Sequence, residues 1–237
     1  MTALVVAIDG PAGAGKSTVT RNVAEALGYT VVDTGALYRT VAYQTEQYGV
    51  SWDDADAVTR VATELAAENA IHFGPTQAGT TKVFLRGVDI STAIRSPEMS
   101  QGASRVSAIV GVRDALLTMQ RTLGSGGGVV LEGRDIGTVV FPDAAAKFFL
   151  TASVEVRAER RYQEHLARGD SIDRELVRQE VVQRDARDTQ RPVAPLKQAS
   201  DAILVDSSNM SIDEVVAFIV TKVHALERAA SEALASD

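Results

Sequence analysis

Cysteine is absent from this 237-residue chain, and histidine occurs only three times. Without cysteine the protein can form neither disulfides nor thiolate metal sites. His72, His165 and His224 stand far apart in the sequence, and none has a second candidate ligand at helical or hairpin spacing. We therefore interpret each histidine as a surface or core residue, and we expect no zinc ion held by the protein.

Long hydrophobic runs and excess positive charge are also missing. No stretch approaches the ~18 apolar residues that a membrane-spanning helix needs, and no basic segment precedes the short apolar run near the start. The net charge is -7 at pH 7, whereas nucleic-acid binding normally needs a large basic field. We expect a cytoplasmic, monomeric protein that binds neither membrane nor nucleic acid.

Lysine is scarce among the basic residues. Only five of the 24 Lys and Arg residues are lysine, and Lys16 is the sole lysine before Lys82. The planar guanidinium of arginine can hold a phosphate through two hydrogen bonds. This preference suits a small site in which several phosphates must be positioned.

The strongest positive signal is a glycine-rich loop between an apolar strand and a helix. The run from Ala3 to Ile8 precedes a G-x-x-x-x-G-K-S pattern, and a helical apolar repeat follows it. The glycines let backbone N–H groups approach phosphates, Lys16 supplies charge to the β/γ oxygens, and Ser17 offers its hydroxyl to Mg²⁺. The predicted residues that bind the nucleoside triphosphate are Gly10, Pro11, Ala12, Gly13, Ala14, Gly15, Lys16, Ser17 and Thr18.

Strand-like and helix-like segments alternate along the chain, as in a parallel sheet covered on both faces. The fold class we predict is α/β, with a P-loop five-stranded parallel sheet, helices on both faces, a small antiparallel insert and a short helical lid. The predicted strands are 3–8, 30–32, 129–131, 146–150 and 202–205. The predicted helices are 16–27, 36–48, 54–69, 98–123, 153–190 with a break, and 211–228, the last opening with a Ser211–Glu214 capping box.

Two interruptions divide the predicted single domain, residues 1–237. Short alternating pieces at 71–73, 81–85 and 88–90 predict the antiparallel sheet. After the fourth core strand, Arg157, Arg160 and Arg161 share one helical face in the lid. We place the core at 1–35, 98–152 and 177–237, the insert at 36–97 and the lid at 153–176.

Three arginine-bearing segments are expected to gather beside the phosphate loop. The segment 33–39 follows the second strand, and 132–135 follows the third, so both reach the carboxyl edge where open α/β sheets bind ligands. Arg184, Arg187, Asp188 and Arg191 lie at offsets that place them on one side of a helix. One such arginine would indicate a surface salt bridge, but the collection indicates a phosphate site.

Together these motifs resemble the bacterial cytidylate kinases (CMP/dCMP kinases), members of the nucleoside monophosphate kinases. The resemblance covers nearly the whole chain. It rests on I-D-G-P-A-G-A-G-K-S at 8–17, D-T-G-A-L-Y-R at 33–39, E-G-R-D-I-G-T-V-V-F-P-D-A at 132–144 and R-D-A-R-D-T-Q-R-P-V-A-P-L at 184–196. It implies transfer of the γ-phosphoryl group of ATP to CMP or dCMP, with Mg²⁺ as the only cofactor and 36–97 as the monophosphate-binding insert.

The resemblance also implies roles for individual residues. The acceptor phosphate would be surrounded by Thr34, Tyr38, Arg39, Arg134 and Arg184. Cytosine would be read by Ser104, Arg113 and Asp135, the ribose would be held by Asp188, and Arg191 would support the same pocket. The catalytic group would be Lys16, Arg39, Arg134, Arg157 and Arg161, the last two closing over ATP. Thr34 stands where some relatives have serine, and Glu132 where some have aspartate.

Other functions are compatible with a phosphate loop. One is a kinase of the same architecture that acts on another small acceptor, such as UMP, because function depends on the site rather than on the fold. Another is a nucleotide-dependent switch, although the chain has no N-K-x-D element for guanine. A third is a relative that binds ATP without turnover, against which the intact Lys16, Ser17 and arginine set argues.

Overall fold

All five predicted core strands form close to their predicted bounds. The computed structural model describes residues 3–77 and 80–234. The larger sheet contains β1 Val5–Asp9, β2 Thr30–Asp33, β6 Val129–Gly133, β7 Ala146–Thr151 and β8 Ile203–Asp206. The smaller sheet contains β3 Ile71–Gln77, β4 Thr80–Leu85 and β5 Val88–Asp89.

The larger sheet has the strand order β2-β6-β1-β7-β8. β1 pairs in parallel with β6, where Val5 faces Val129, and with β7, where Val6 faces Ala146. β7 in turn pairs in parallel with β8. Every residue of β6 is buried, which explains why the central strands read as continuous apolar runs. These observations confirm the predicted α/β class.

The chain divides into two compact units, Met1–Thr30 with Gly127–Asp237 (unit 1) and Val31–Gly126 (unit 2). The described part of unit 1 contains β1, β6, β7 and β8 with the helices α1 Lys16–Leu27, α6 Val154–Ala167, α7 Arg174–Gln190 and α8 Ile212–Leu234. Its fully buried side chains include Ile8, Leu131, Phe148, Leu150 and Ile219. The division into core, insert and lid made from the sequence stays a prediction.

Unit 2 contains α2 Thr34–Gln47, α3 Ala55–Ala67, α4 Pro97–Val106, α5 Val110–Gly124 and the smaller sheet. That sheet is antiparallel with order β3-β4-β5, as the sequence predicted. The helices of unit 2 pack around an apolar core in which Leu37, Val58, Leu65, Ile94 and Leu116 are buried.

The single helix predicted at 98–123 is wrong, because two helices form there. α4 ends at Val106, and Ile109 has an extended backbone with φ -81 and ψ 121. The Ala108 N–H donates to the Arg105 carbonyl and the Ile109 N–H to the Val106 carbonyl, and these tight turns close α4 before α5 begins. Apolar periodicity runs through this short break, so the sequence pattern hides it.

The remaining helix predictions agree better with the structure. The expected break within 153–190 lies between α6 and α7, and α8 extends beyond 228. The capping box forms: the Ser211 N–H donates to the Glu214 carboxylate, and the Glu214 N–H donates to the Ser211 hydroxyl. Among the described residues, no helix has both the length and the apolar character needed to cross a membrane.

Candidate active site

The phosphate loop joins β1 to α1, as the sequence predicted. Gly10 has φ 151, and a Cβ there would stand 1.9 Å from the Leu150 carbonyl oxygen. Gly13 has φ 77, and its Cβ would stand 3.0 Å from the Arg157 carbonyl oxygen. Side chains are therefore excluded at both positions. The loop ends at Gly15, and Lys16 begins α1, so the helix N-terminus with its free N–H groups directly follows the loop.

Lys16 and Ser17 have specific partners within unit 1. The Lys16 ammonium is buried and donates to the carbonyls of Gly10 at 2.8 Å and Pro11 at 2.7 Å. Burial, followed by the nearby Arg134 guanidinium, lowers the pKa of Lys16 well below its ordinary value. The Ser17 hydroxyl donates to the Glu132 carboxylate over 2.9 Å. Lys16 is thus held against the loop, and Ser17 is oriented by the end of β6.

The side-chain oxygens of Ser17 and Glu132 suit a magnesium ion. Mg²⁺ takes oxygen ligands and usually keeps several waters beside one or two protein groups and substrate phosphates. Ser17 and Glu132 offer a hydroxyl and a carboxylate 2.9 Å apart beside the loop. Within 3–77 and 80–234, no group of three or more His, Cys, Asp or Glu side chains could hold a metal by itself. The donor set therefore fits an ion carried mainly by nucleotide phosphates and water.

Asp9, the last residue of β1, contacts the segment that follows β6. Its carboxylate accepts the N–H groups of Ile136 at 2.8 Å and Gly137 at 2.7 Å. Burial raises the pKa of Asp9 to about 6, although these two hydrogen bonds and Lys16 act to lower it. The backbone after Arg134 and Asp135 is thereby attached to the strand that leads into the phosphate loop.

Arginine–carboxylate pairs surround this segment. Arg134 Nε donates to Asp188 at 2.9 Å, and Arg191 lies 3.5 Å from Asp135. Burial alone would raise the pKa of Asp188, but the charges of Arg134, Arg184 and Arg191 hold it below its usual value. The structure thus brings together the predicted set Arg134, Asp135, Arg184, Asp188 and Arg191.

The arginines of α6 differ from one another. Arg157 is buried, forms two hydrogen bonds with Asp185 at 2.9 and 2.6 Å, and donates to the Ala12 carbonyl. Arg160 donates to the Ala14 carbonyl and to Ser207.

Arg161 is half-buried and has no hydrogen-bond or ion-pair partner in the described part of the chain. Of the predicted pair Arg157 and Arg161, only Arg157 contacts the phosphate loop, and it is joined there by Arg160.

In unit 2, the first two turns of α2 carry the predicted phosphate residues Thr34, Tyr38 and Arg39. Asp33 caps the helix by accepting the Ala36 N–H, and it also accepts a 2.6 Å hydrogen bond from Arg39. Thr34, the first helical residue, is buried. Arg39 Nε is buried without a hydrogen-bond partner among the described residues. The Asp33 carboxylate therefore orients Arg39 and leaves part of its guanidinium uncommitted.

A second group in unit 2 links Tyr38 to α5. The Arg113 guanidinium lies 5.5 Å from the centre of the Tyr38 ring, a cation–π distance. The Gln120 amide, which is 2% exposed, lies 3.4 Å from the Tyr38 hydroxyl. Ser104 is buried, and its hydroxyl has no partner within the described residues. A buried hydroxyl without a partner is costly in a folded protein unless a ligand binds it.

Several contributing residues were missed or left without a role at the sequence level. Asp9 ends β1 and Glu132 is the last residue but one of the adjacent parallel strand β6, and a carboxylate at that edge was a usable signal. The partners of two predicted site residues, Asp185 for Arg157 and Gln120 for Tyr38, lie 28 and 82 residues away in sequence. Spacing alone cannot find such pairs.

The loop, the parallel sheet and the surrounding arginines define a P-loop phosphotransferase. The family model described as cytidylate kinase matches residues 6–225. The chain therefore belongs to the cytidylate kinase family, as its sequence motifs predicted.

Relatives support this membership along most of the chain. A cytidylate kinase of Syntrophotalea carbinolica is 49% identical, with 90% of this chain and 88% of the relative covered. That of Pelotomaculum thermopropionicum is 47% identical, covering 94% and 97%. That of Streptococcus gordonii is 45% identical, also covering 94% and 97%.

Proposed function

We propose that this protein transfers the γ-phosphoryl group of ATP to CMP or dCMP, giving ADP and CDP or dCDP. The observation that carries the proposal is family membership together with an intact phosphate loop, in which Lys16 and Ser17 are both positioned. The closest alternative is the same chemistry on another acceptor such as UMP. Cytoplasmic location and a monomeric state stay predictions.

ATP is proposed to bind along the loop of residues 10–18 in unit 1. The backbone N–H groups and the start of α1 would bind the β- and γ-phosphates, and Lys16 would move from its two carbonyl partners to the phosphate oxygens. Mg²⁺, when bound, neutralises phosphate charge and orients the oxygens for transfer. Ser17 would contact the ion, with Glu132 holding the Ser17 hydroxyl and accepting from the ion's water ligands.

The acceptor roles belong to the residues that the family motifs identify. We assign the CMP phosphate to Thr34, Tyr38, Arg39, Arg134 and Arg184. The uncommitted Nε of Arg39 supports this role, since a buried donor without a partner suits an anion. Asp188 is assigned to the ribose hydroxyls, with Arg191 supporting it.

In the reaction, an oxygen of the CMP phosphate forms a bond to the γ-phosphorus while the bond to the β–γ bridging oxygen breaks, and ADP leaves. The second pKa of a phosphate is near 6, so the attacking oxygen is already anionic and needs no general base. The main barrier is repulsion between two multiply charged groups. Lys16, Arg39, Arg134, Arg157 and Arg161 are proposed to offset it and to stabilise the charge of the transition state.

Selection of cytosine is proposed to depend on Asp135, with Ser104 and Arg113 as further contacts. Asp135 is 4% exposed, and its carboxylate can accept the exocyclic amino group of cytosine. Uracil presents a carbonyl there, so a buried acceptor would face another acceptor at a cost of roughly 1 to 3 kcal/mol. The partnerless Ser104 hydroxyl supports the presence of a ligand at that residue.

A coupled assay of ADP formation tests the proposal, using ATP and Mg²⁺ with CMP, dCMP, UMP, AMP, GMP or no acceptor. Activity confined to CMP and dCMP is expected. Faster ADP release with UMP would favour the alternative acceptor, and equal release without acceptor would indicate an ATPase or a switch.

A further inference from the structure

Asp9 is a buried carboxylate for which the proposed reaction has no direct use. It ends β1, the central strand of the larger sheet, and is 5% exposed. No basic side chain of the described residues forms an ion pair with it. Burying an ionisable group without such a pair is costly, so its contacts call for an explanation.

Both oxygens of this carboxylate bind neighbouring backbone groups. Oδ1 accepts the Ile136 N–H and Oδ2 accepts the Gly137 N–H. Each donor thus meets its own oxygen, so this geometry uses two acceptor oxygens on one side chain. Only an ionised carboxylate provides them, because the amide of asparagine has one acceptor and one donor group. The contact therefore specifies an acidic residue rather than any polar one.

The segment held in this way carries Asp135. The Asp135 carbonyl accepts the N–H groups of Val139 and Val140, which closes the turn that follows it. Its backbone has φ -151 and ψ 24. The peptide after Asp135 is thus fixed on one side by Asp9 and on the other by this turn. These bonds fix the backbone on the carboxyl side of Asp135, from which its side chain projects.

We propose that Asp9 is a positioning residue for acceptor selection: its carboxylate fixes the backbone of Asp135 to Gly137, so that the Asp135 side chain meets the cytosine amino group. This inference rests on the proposed function. Asp9 touches neither substrate and acts through Asp135.

The test compares wild type with Asp9→Asn, measuring kcat and KM for CMP, UMP and ATP. Asparagine has the same size but turns an NH₂ group toward one of the two N–H donors. Displacing a binding group by about 1 Å can cost on the order of 100-fold in rate. We expect the CMP-over-UMP ratio of kcat/KM to fall about tenfold or more, mainly through a higher KM for CMP. The KM for ATP should change by less than about threefold, because the contact holds the acceptor segment.

Glu227→Gln is the matched control. Glu227 is also a buried carboxylate of unit 1, but it binds Tyr29 and His224 instead of the Asp135 segment. Its loss should lower the melting temperature and leave the CMP-over-UMP ratio unchanged. A merely structural role for Asp9 would give Asp9→Asn the same outcome, and that result would overturn the inference.

Failure of a variant to fold and failure of the proposed function can each be told apart from failure of the inference. If Asp9→Asn does not fold, Asp9→Glu replaces it, since glutamate keeps both oxygens but shifts them along a longer side chain; an unchanged CMP-over-UMP ratio in folded Asp9→Glu would then overturn the inference. If wild type itself does not phosphorylate CMP, the proposed function fails and the inference fails with it. Normal CMP use by wild type with unchanged selection in the variants removes the inference alone.

Discussion

Individual charged residues in unit 1 are held by partners of opposite sign. Arg134 binds Asp188, Arg157 binds Asp185, and Arg191 lies beside Asp135. Such buried pairs add little net stability, because desolvation offsets their attraction. Their value here is geometric, since each guanidinium is oriented before a substrate arrives.

Arg134→Ala should lower kcat by on the order of 10² to 10³, the usual loss when one transition-state donor is removed. The fold should survive, because Asp188 keeps the nearby charges of Arg184 and Arg191. Steady-state kinetics with CMP, together with a thermal melt, measures both effects. Arg178→Ala is the control, since Arg178 is 46% exposed and pairs with the exposed Glu155 and Glu175. Equal activity of the two variants would remove Arg134 from the mechanism.

Asp9 should give the protein a specific pH dependence of stability. Its pKa is raised from 3.8 to about 6, with burial as the main cause, Asp135 adding to the rise and Lys16 opposing it. The folded state therefore holds this proton more tightly than the unfolded state. The resulting stabilisation is fully present below pH 4 and is lost as pH rises through about 6.

Urea unfolding of wild type and Asp9→Asn between pH 4 and 7 measures this effect. Two pKa units correspond to about 3 kcal/mol. The free energy of unfolding of wild type should fall by roughly that amount relative to the variant as pH rises. Parallel pH curves for the two proteins would show that Asp9 does not titrate in this range.

At the scale of elements, the β1–α1 junction depends on backbone approach that only glycine permits. Gly10→Ala would place a Cβ 1.9 Å from the Leu150 carbonyl oxygen. The loop must shift, so ATP affinity should fall at least about tenfold and the free energy of unfolding by ~1 to 3 kcal/mol. Calorimetry with ATP and urea unfolding measure the two quantities.

Gly126→Ala, which has nothing within 4 Å of its Cβ, is the control. Wild-type ATP affinity in Gly10→Ala would contradict this account of the loop.

The start of α8 depends on the capping box. Ser211→Ala removes the acceptor of the Glu214 N–H, so the free energy of unfolding should fall by about 1 kcal/mol. Kinetic constants should not change, because neither residue belongs to the proposed site. Thermal or urea unfolding gives the first quantity, and a loss below about 0.3 kcal/mol would show that water satisfies this helix end equally well.

Elements were predictable from sequence where one local signal dominated. Continuous apolar runs identified the five core strands, and the Ser211–Glu214 pair identified a helix start. The break at 107–109 was not predictable, because tight backbone turns close α4 there while the apolar periodicity continues. Local hydrogen bonds of this kind leave no trace in the hydrophobic pattern.

At the scale of the whole molecule, the residue types of the candidate site were predictable and its contacts were not. The motifs at 8–17, 132–144 and 184–196 identified the arginines and carboxylates of unit 1. They did not pair Arg157 with Asp185, Ser17 with Glu132 or Asp9 with the backbone of Ile136. These partners are distant in sequence, and only the packed structure joins them.

A cytidylate-selective phosphotransferase must choose CMP when CMP and UMP compete for the same enzyme. Equal concentrations of CMP and UMP are mixed with ATP, Mg²⁺ and a trace of protein, and the nucleotide products are separated while both acceptors are in excess. We expect CDP in at least about tenfold excess over UDP, from the penalty of roughly 1 to 3 kcal/mol at a buried acceptor, with ADP equal to the two products combined. Equal CDP and UDP, or ADP accompanied by free phosphate alone, would contradict it.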